Sequence, residues 1–195
     1  MGKGSDSVSM KPILFNTDMV RAILEGRKTV TRRVVMPQPK GEVYQMPQSS
    51  VWPNYWGQTG SDAVFAPKYH HGDILYVRET WCRQPSEEFP FVYRASVQTP
   101  DAWRGSWHPS IHMPKEAARI FLRVTDVRVE RLQDITSADV KSEGAAGRFG
   151  ATRGAFETLW DSTIRPAELA LYGWTANPWV WVIEFERCGK PEVQV

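Results

Sequence analysis

Apolar positions along this chain change period several times, and each change marks an element. Met19, Val20, Ile23 and Leu24 recur at helical spacing, which predicts a helix over 17–25 capped by Thr17 or Asp18. Gly26 stands where a helix C-cap belongs, and the β-branched run 29–35 predicts a strand. A Gly72-Asp73 turn precedes an apolar run that reads as a strand over 74–80, and 91–95 reads as a short strand. Between 118 and 131 the residues alternate, but the apolar parity switches near Thr125-Asp126. That switch predicts a bulge or bend between two strands. Thr136, with Asp139 at N3, opens a short helix to 142. A second helix is expected over 156–164, stopped by Arg165-Pro166, and a last strand over 179–187.

The intervening segments have no steady period. Residues 36–70 are rich in Pro, Gly, Gln, Ser and aromatics and read as one long excursion, a kind of loop that is often functional. Prolines exclude a helix from 99–115. The expected architecture is α+β: one domain over 11–187 with insertions near 36–70, 82–115 and 144–175, a disordered lead-in over 1–10 and a tail over 188–195.

Composition adjusts this picture in a few places. A chain of 195 residues with 42% hydrophobic side chains suffices for one sizeable core. Nine Trp is a high count, and Trp suits a cleft wall as well as a core because its ring is amphipathic. Net charge is +2, so any nucleic-acid signal must be local. Two basic segments stand out: 27–33, and 104–131 with six Lys/Arg against three acids. They fit either one basic face or two solvated strips. Cys82 and Cys188 form no CxxC pair, which points to free thiols in a reducing cytoplasm rather than to a zinc site or a disulfide framework. The polar residues 1–9 lack the apolar core of a secretory signal, and no membrane span is expected.

The densest chemistry lies in Gly26-Arg27-Lys28-Thr29-Val30-Thr31-Arg32-Arg33, where helix gives way to strand. It stands in order with 11–15, with 72–81, with Leu132 to Ile135 leading to Glu143-Gly144, and with 181–185. In that order the elements resemble an ASCH domain, in the larger form common in bacteriophages and prophages. The resemblance covers roughly 11–187. It implies a fold similar to PUA domains, a small mixed β-barrel with peripheral short helices and a cleft beside the GxKxxxR element. Here the barrel would also carry long aromatic-rich loop insertions. It implies RNA or a modified nucleoside as partner, and no cofactor or metal. One branch of small ASCH proteins removes acyl groups from acetylated cytidine with a Lys, a Thr three residues later, and a Glu near a helix end. Lys28, Thr31 and Glu143 match that set, although this chain is nearly twice as long as members of that branch.

Two functions follow from these groups. As a binding module, Lys28 and Arg32 donate to phosphate or carbonyl, Glu143 accepts from an exocyclic amine, and a Trp or Tyr of 52–56 or 103–107 stacks on a base. Gly26, Arg27, Arg33, Arg78 and Tyr93 complete the candidate ligand-binding set. As an amidohydrolase, Thr31 supplies a hydroxyl, Lys28 the base and Glu143 an orienting or proton-shuttling carboxylate. Lys28 and Thr31 point to opposite faces of a regular strand, so the triad requires Lys28 to sit in the turn before it. A protein-interaction role in a phage setting is the third possibility. His108 and His112 lie on a proline-broken loop, and His70-His71 beside a turn, which makes neither pair a metal motif.

Overall fold

The computed structural model describes residues 10–47, 55–99, 105–145 and 150–191. The expected lead-in up to Ser9, residues 192–195 of the expected tail, and the stacking candidates Trp52 and Trp103 lie outside them. The fold is mixed α+β, and by compactness the chain divides into two units. The first takes residues up to 27, 72–123 and those from 186 onward; the second takes 28–71 and 124–185.

In the first unit, strand β1 (Met10–Leu14) runs parallel to β6 (Ile74–Arg78). Helix α1 (Thr17–Leu24) follows β1. Its cap is Asn16, whose side chain accepts from the Met19 amide at 2.9 Å, one residue before the expected Thr17 or Asp18. The helix ends in a Schellman motif. Gly26 adopts φ +74°, the Arg27 amide returns to Ala22 O at 2.8 Å, and the Gly26 amide to Ile23 O at 3.1 Å. β6 pairs antiparallel with the first residues of β9 (Phe121–Arg131). A short hairpin, β7 (Trp81–Arg83) with β8 (Phe91–Tyr93), packs Trp81, Phe91 and Tyr93 against Ile74, Met113, Ala117 and Phe121.

In the second unit, β2 (Val30–Val34) pairs antiparallel with β10 (Trp179–Cys188). Val30 and Val34 share a face with Val180 and Val182, since directly paired residues lie on one side of a sheet. That face packs with Val140 of α2 (Ser137–Ser142) and with Phe156 and Trp160 of α3 (Arg153–Thr163). Thr136 and Asp139 form the expected capping box of α2, while α3 begins earlier than its apolar pattern, capped by Thr152. A one-turn helix α4 (Leu169–Tyr172) precedes β10.

Segment 36–70 is not one long loop. It contains a three-stranded antiparallel sheet of β3 (Val43–Gln45), β4 (Trp56–Gln58) and β5 (Ser61–Phe65). The strands have three to five residues each, too short for an alternation to rise above the polar composition. Gln45, Trp56 and Phe65 form one row across them. Trp56 and Phe65 meet Trp181 edge-on, at centroid distances of 6.1 and 5.8 Å. On the other face the Tyr44 ring crosses Gly57, where a Cβ would lie 2.7 Å from the ring.

The remaining five strands form one sheet in the order β1-β6-β9-β10-β2. Its two end strands do not pair, so the described residues show no closed barrel. β9 is a single strand through the parity switch at Thr125-Asp126, where a break was expected. It pairs with β6 only through Phe121, Leu122 and Arg123, and from Val124 it belongs to the second unit. Two successive environments along one strand account for the change of parity.

Two glycines give opposite expectations. A Cβ on Gly26 meets nothing within 4 Å, so the cost of Gly26→Ala is that of the left-handed backbone alone, about 1–2 kcal/mol. Gly154, in the first turn of α3, has open space and no positive φ, so Gly154→Ala is expected to stabilise by about 0.4–1 kcal/mol. Urea unfolding of the two variants should move in opposite directions.

Candidate functional site

Two helix stops set up the charged cluster. After the Schellman turn at Gly26 the chain leaves Arg27 in solvent and turns Lys28 inward. Arg27 pairs with Glu25, with both side chains about half exposed. Helix α2 ends at Glu143, followed by Gly144 at φ +72°. Lys28 and Glu143 form an isolated antiparallel bridge, and the Thr29 amide donates to Ser142 O at 2.8 Å. Lys28 therefore sits just ahead of β2, as a turn-held lysine should.

The Lys28 ammonium donates to Glu143 Oε2 at 2.7 Å, to Glu143 O at 2.9 Å and to Val30 O at 2.7 Å. Arg32 Nη1 donates to the other carboxylate oxygen, Glu143 Oε1, at 3.1 Å. Arg32 Nη2 reaches Glu130 Oε2 at 3.2 Å and Asp139 Oδ2 at 3.4 Å. Each oxygen of Glu143 is thus held by a different cation. A carboxylate at a helix C-terminus opposes the macrodipole, and Lys28 and Arg32 supply the compensation. Burial pushes the Lys28 ammonium below the ordinary lysine value, with Arg33 and Arg32 acting in the same direction. The charge and hydrogen bond of Glu143 act against that shift.

These groups are enclosed: Lys28 is 2% exposed, Thr31 2%, Arg32 3% and Glu143 5%. Thr31 lies on the face of β2 opposite Arg32, paired across the ladder with Ile183. Among the described residues its hydroxyl makes no hydrogen bond to Lys28 or Glu143. Arg33 shares the Thr31 face, opposite Trp181 in the ladder, and interacts electrostatically with Tyr69 and Glu143. The structure therefore gathers Lys28, Arg32 and Glu143 into one cluster and sets Thr31 and Arg33 on the side that carries Trp181.

Arg78 and Tyr93 belong to the first unit and are engaged within it. Arg78 donates to the carbonyls of Ile111 and Met113. The Tyr93 hydroxyl donates to Ala117 O at 2.7 Å, and Arg119 lies over its ring at 3.9 Å while forming a bidentate pair with buried Glu79.

A cleft of about 190 Å³ opens in the second unit, lined by Gln45, Trp56, Pro67, His70, His71, Asp126 and Val127. Trp56 falls in the 52–56 segment expected to supply a stacking ring, whereas nothing in the sequence singles out Gln45, Pro67 or Val127. The strands that bring Gln45 and Trp56 to the cleft read as loop, and Asp126 read only as the point of a parity switch. A chain of ion pairs connects cleft and cluster. Arg128 holds Asp126 Oδ2 at 3.0 Å and Glu130 Oε1 at 2.6 Å, and Glu130 meets Arg32, which meets Glu143. Among the described residues no group of three or more His, Cys, Asp or Glu is placed to hold a metal ion. No described helix is long and apolar enough to cross a membrane.

Glu143→Gln removes the charge shared by two buried cations and is expected to cost about 3–5 kcal/mol. Arg27→Ala breaks a solvent-exposed pair and is expected to cost less than about 1 kcal/mol. Chemical denaturation of both variants checks the contrast.

No family model matches the chain, and no curated protein matches it. The crystal structure of protein EF3133 from Enterococcus faecalis V583, assigned to the family model DUF984, is similar to it over 93% of this chain and 82% of that one. The identity is 11% and the TM-score 0.44, a likeness that carries no functional argument.

Proposed function

We propose that this chain is a PUA-like module of the ASCH type that recognises RNA or a modified nucleoside. The observation that carries this reading is the ion-pair chain from Asp126 at the cleft to Lys28 in the interior. It ties the GxKxxxR element to a cleft whose lining offers aromatic, imidazole and carboxylate groups, the chemistry that reads an unstacked base. Arg32 is consumed by three carboxylates, so it serves the scaffold rather than a phosphate. Arg33, half-buried on the Trp181 face, is the residue of the element assigned to the ligand.

A second reading, amide hydrolysis of an acylated nucleoside such as acetylated cytidine by Lys28, Thr31 and Glu143, is favoured by one observation. A desolvated lysine with a depressed pKa lies 2.7 Å from a carboxylate, an arrangement that favours a general base. Against it stands the engagement of that ammonium with three acceptors, and a Thr31 hydroxyl bonded to neither partner.

Two measurements separate the readings. Binding of a short single-stranded RNA should fall steeply with salt, and Arg33→Gln should weaken it and reduce the log–log slope by about 0.7 for a lost phosphate contact. Acetate release from acetylated cytidine should stay at background. Turnover that disappears in a folded Lys28→Ala variant would establish the hydrolase instead, and salt-independent or absent RNA binding would sink the RNA reading.

A further inference from the structure

The 36–70 sheet builds one wall of the cleft, and what it places there is specific in shape and in polarity. Trp56 is half-buried and its indole is braced edge-on by Trp181, with Phe65 braced on the same ring from the next strand. A ring fixed from behind can stack without losing much freedom on binding. Pro67 is buried and gives a second apolar surface. The polar groups are of both kinds. Asp126 is acceptor-only, and Arg128 holds its Oδ2, with no partner for Oδ1 among the described residues. His71 and Gln45 are exposed side chains that can donate. About 190 Å³ is below the roughly 300–1,000 Å³ typical of sites for drug-sized ligands, so the cleft suits one small ring system rather than a whole nucleotide.

We propose that this cleft is a subsite for a single amino-substituted nucleobase, stacked on Trp56 with its exocyclic amine donating to Asp126. The inference rests on the nucleoside-recognition reading and deepens it by naming the ligand class and the residues. A carboxylate accepts from the cytosine N4 amine and repels the carbonyl that uracil presents at the same position. Cytosine-type bases are therefore preferred over uracil. The base comes either from a free nucleoside or from an unpaired position in a strand, and both present the same edge.

The test titrates the purified full chain with cytidine, uridine, oligocytidine RNA and oligouridine RNA, by calorimetry. Cytosine-containing ligands are expected to bind at least about 5-fold more tightly than their uracil counterparts. Asp126→Asn, an exposed change, is expected to bring that ratio close to one. Trp56→Ala is expected to weaken binding by roughly 5- to 150-fold, the range for loss of one stacked base. If Trp56→Ala fails to fold, the Asp126→Asn ratio decides alone. Binding of cytidine itself identifies a free nucleoside as sufficient, and binding of oligocytidine alone identifies a strand base; either, with the cytosine preference, supports the subsite. RNA binding with no cytosine preference, or unchanged in both variants, overturns the subsite and leaves the broader reading standing. Absence of binding by every ligand removes both.

Discussion

Burying a carboxylate is costly, and burying it at the negative end of a helix is costlier still. Glu143 does both, and much of the second unit is arranged around offsetting that cost. Its two oxygens accept from Lys28 and Arg32, and its main-chain carbonyl accepts a further hydrogen bond from Lys28. Three separately delivered elements must meet for this: the turn after α1, strand β2 and the end of α2. Gly26 and Gly144 allow the first and last to stop where they do, each at positive φ. Removing any one member strands the others in a low-dielectric interior, so the arrangement specifies geometry more than it adds net stability.

The clamp also divides strand β2 by face. Arg32 faces the carboxylates, while Thr31 and Arg33 stand on the side of Trp181, against which the small three-stranded sheet rests. The basic element that dominates the sequence is thus mostly interior scaffold. On the proposed reading the ligand-facing groups come from 36–70 and from β9, with half-buried Arg33 as the element's own contribution. Ion pairs through Arg128 and Glu130 connect Asp126 of β9 to the clamp.

The sequence made the clamp legible because its parts obey local rules. A glycine after an amphipathic helix fixes the turn, and Thr136 with Asp139 fixes the start of α2. A Glu at the end of that helix needs a nearby cation, and Lys28 and Arg32 answer that need. The sheet inside 36–70 was not legible. β3, β4 and β5 are held by pairing and by the Trp56–Trp181 and Phe65–Trp181 contacts, which no local period encodes. For the same reason nothing local marks Gln45 or Pro67 as cleft residues. The parity switch in β9 was visible, but its cause, a strand that serves two units in succession, depends on contacts distant in sequence. Thr31 shows the limit of spacing: three residues from Lys28 matches a catalytic pattern, yet strand geometry puts its hydroxyl on the other face from Arg32.

The clamp between Lys28 and Glu143 is the claim on which the rest depends, and a double-mutant cycle tests it most directly. Unfolding free energies of the wild type, Lys28→Met, Glu143→Leu and the double variant give the interaction energy between the two side chains. A clamp predicts that each single change is strongly destabilising and that the double variant recovers roughly 2–3 kcal/mol of the summed loss. Additivity within about 0.5 kcal/mol would show that the two groups do not depend on each other, and would contradict the clamp as the organising contact of the site.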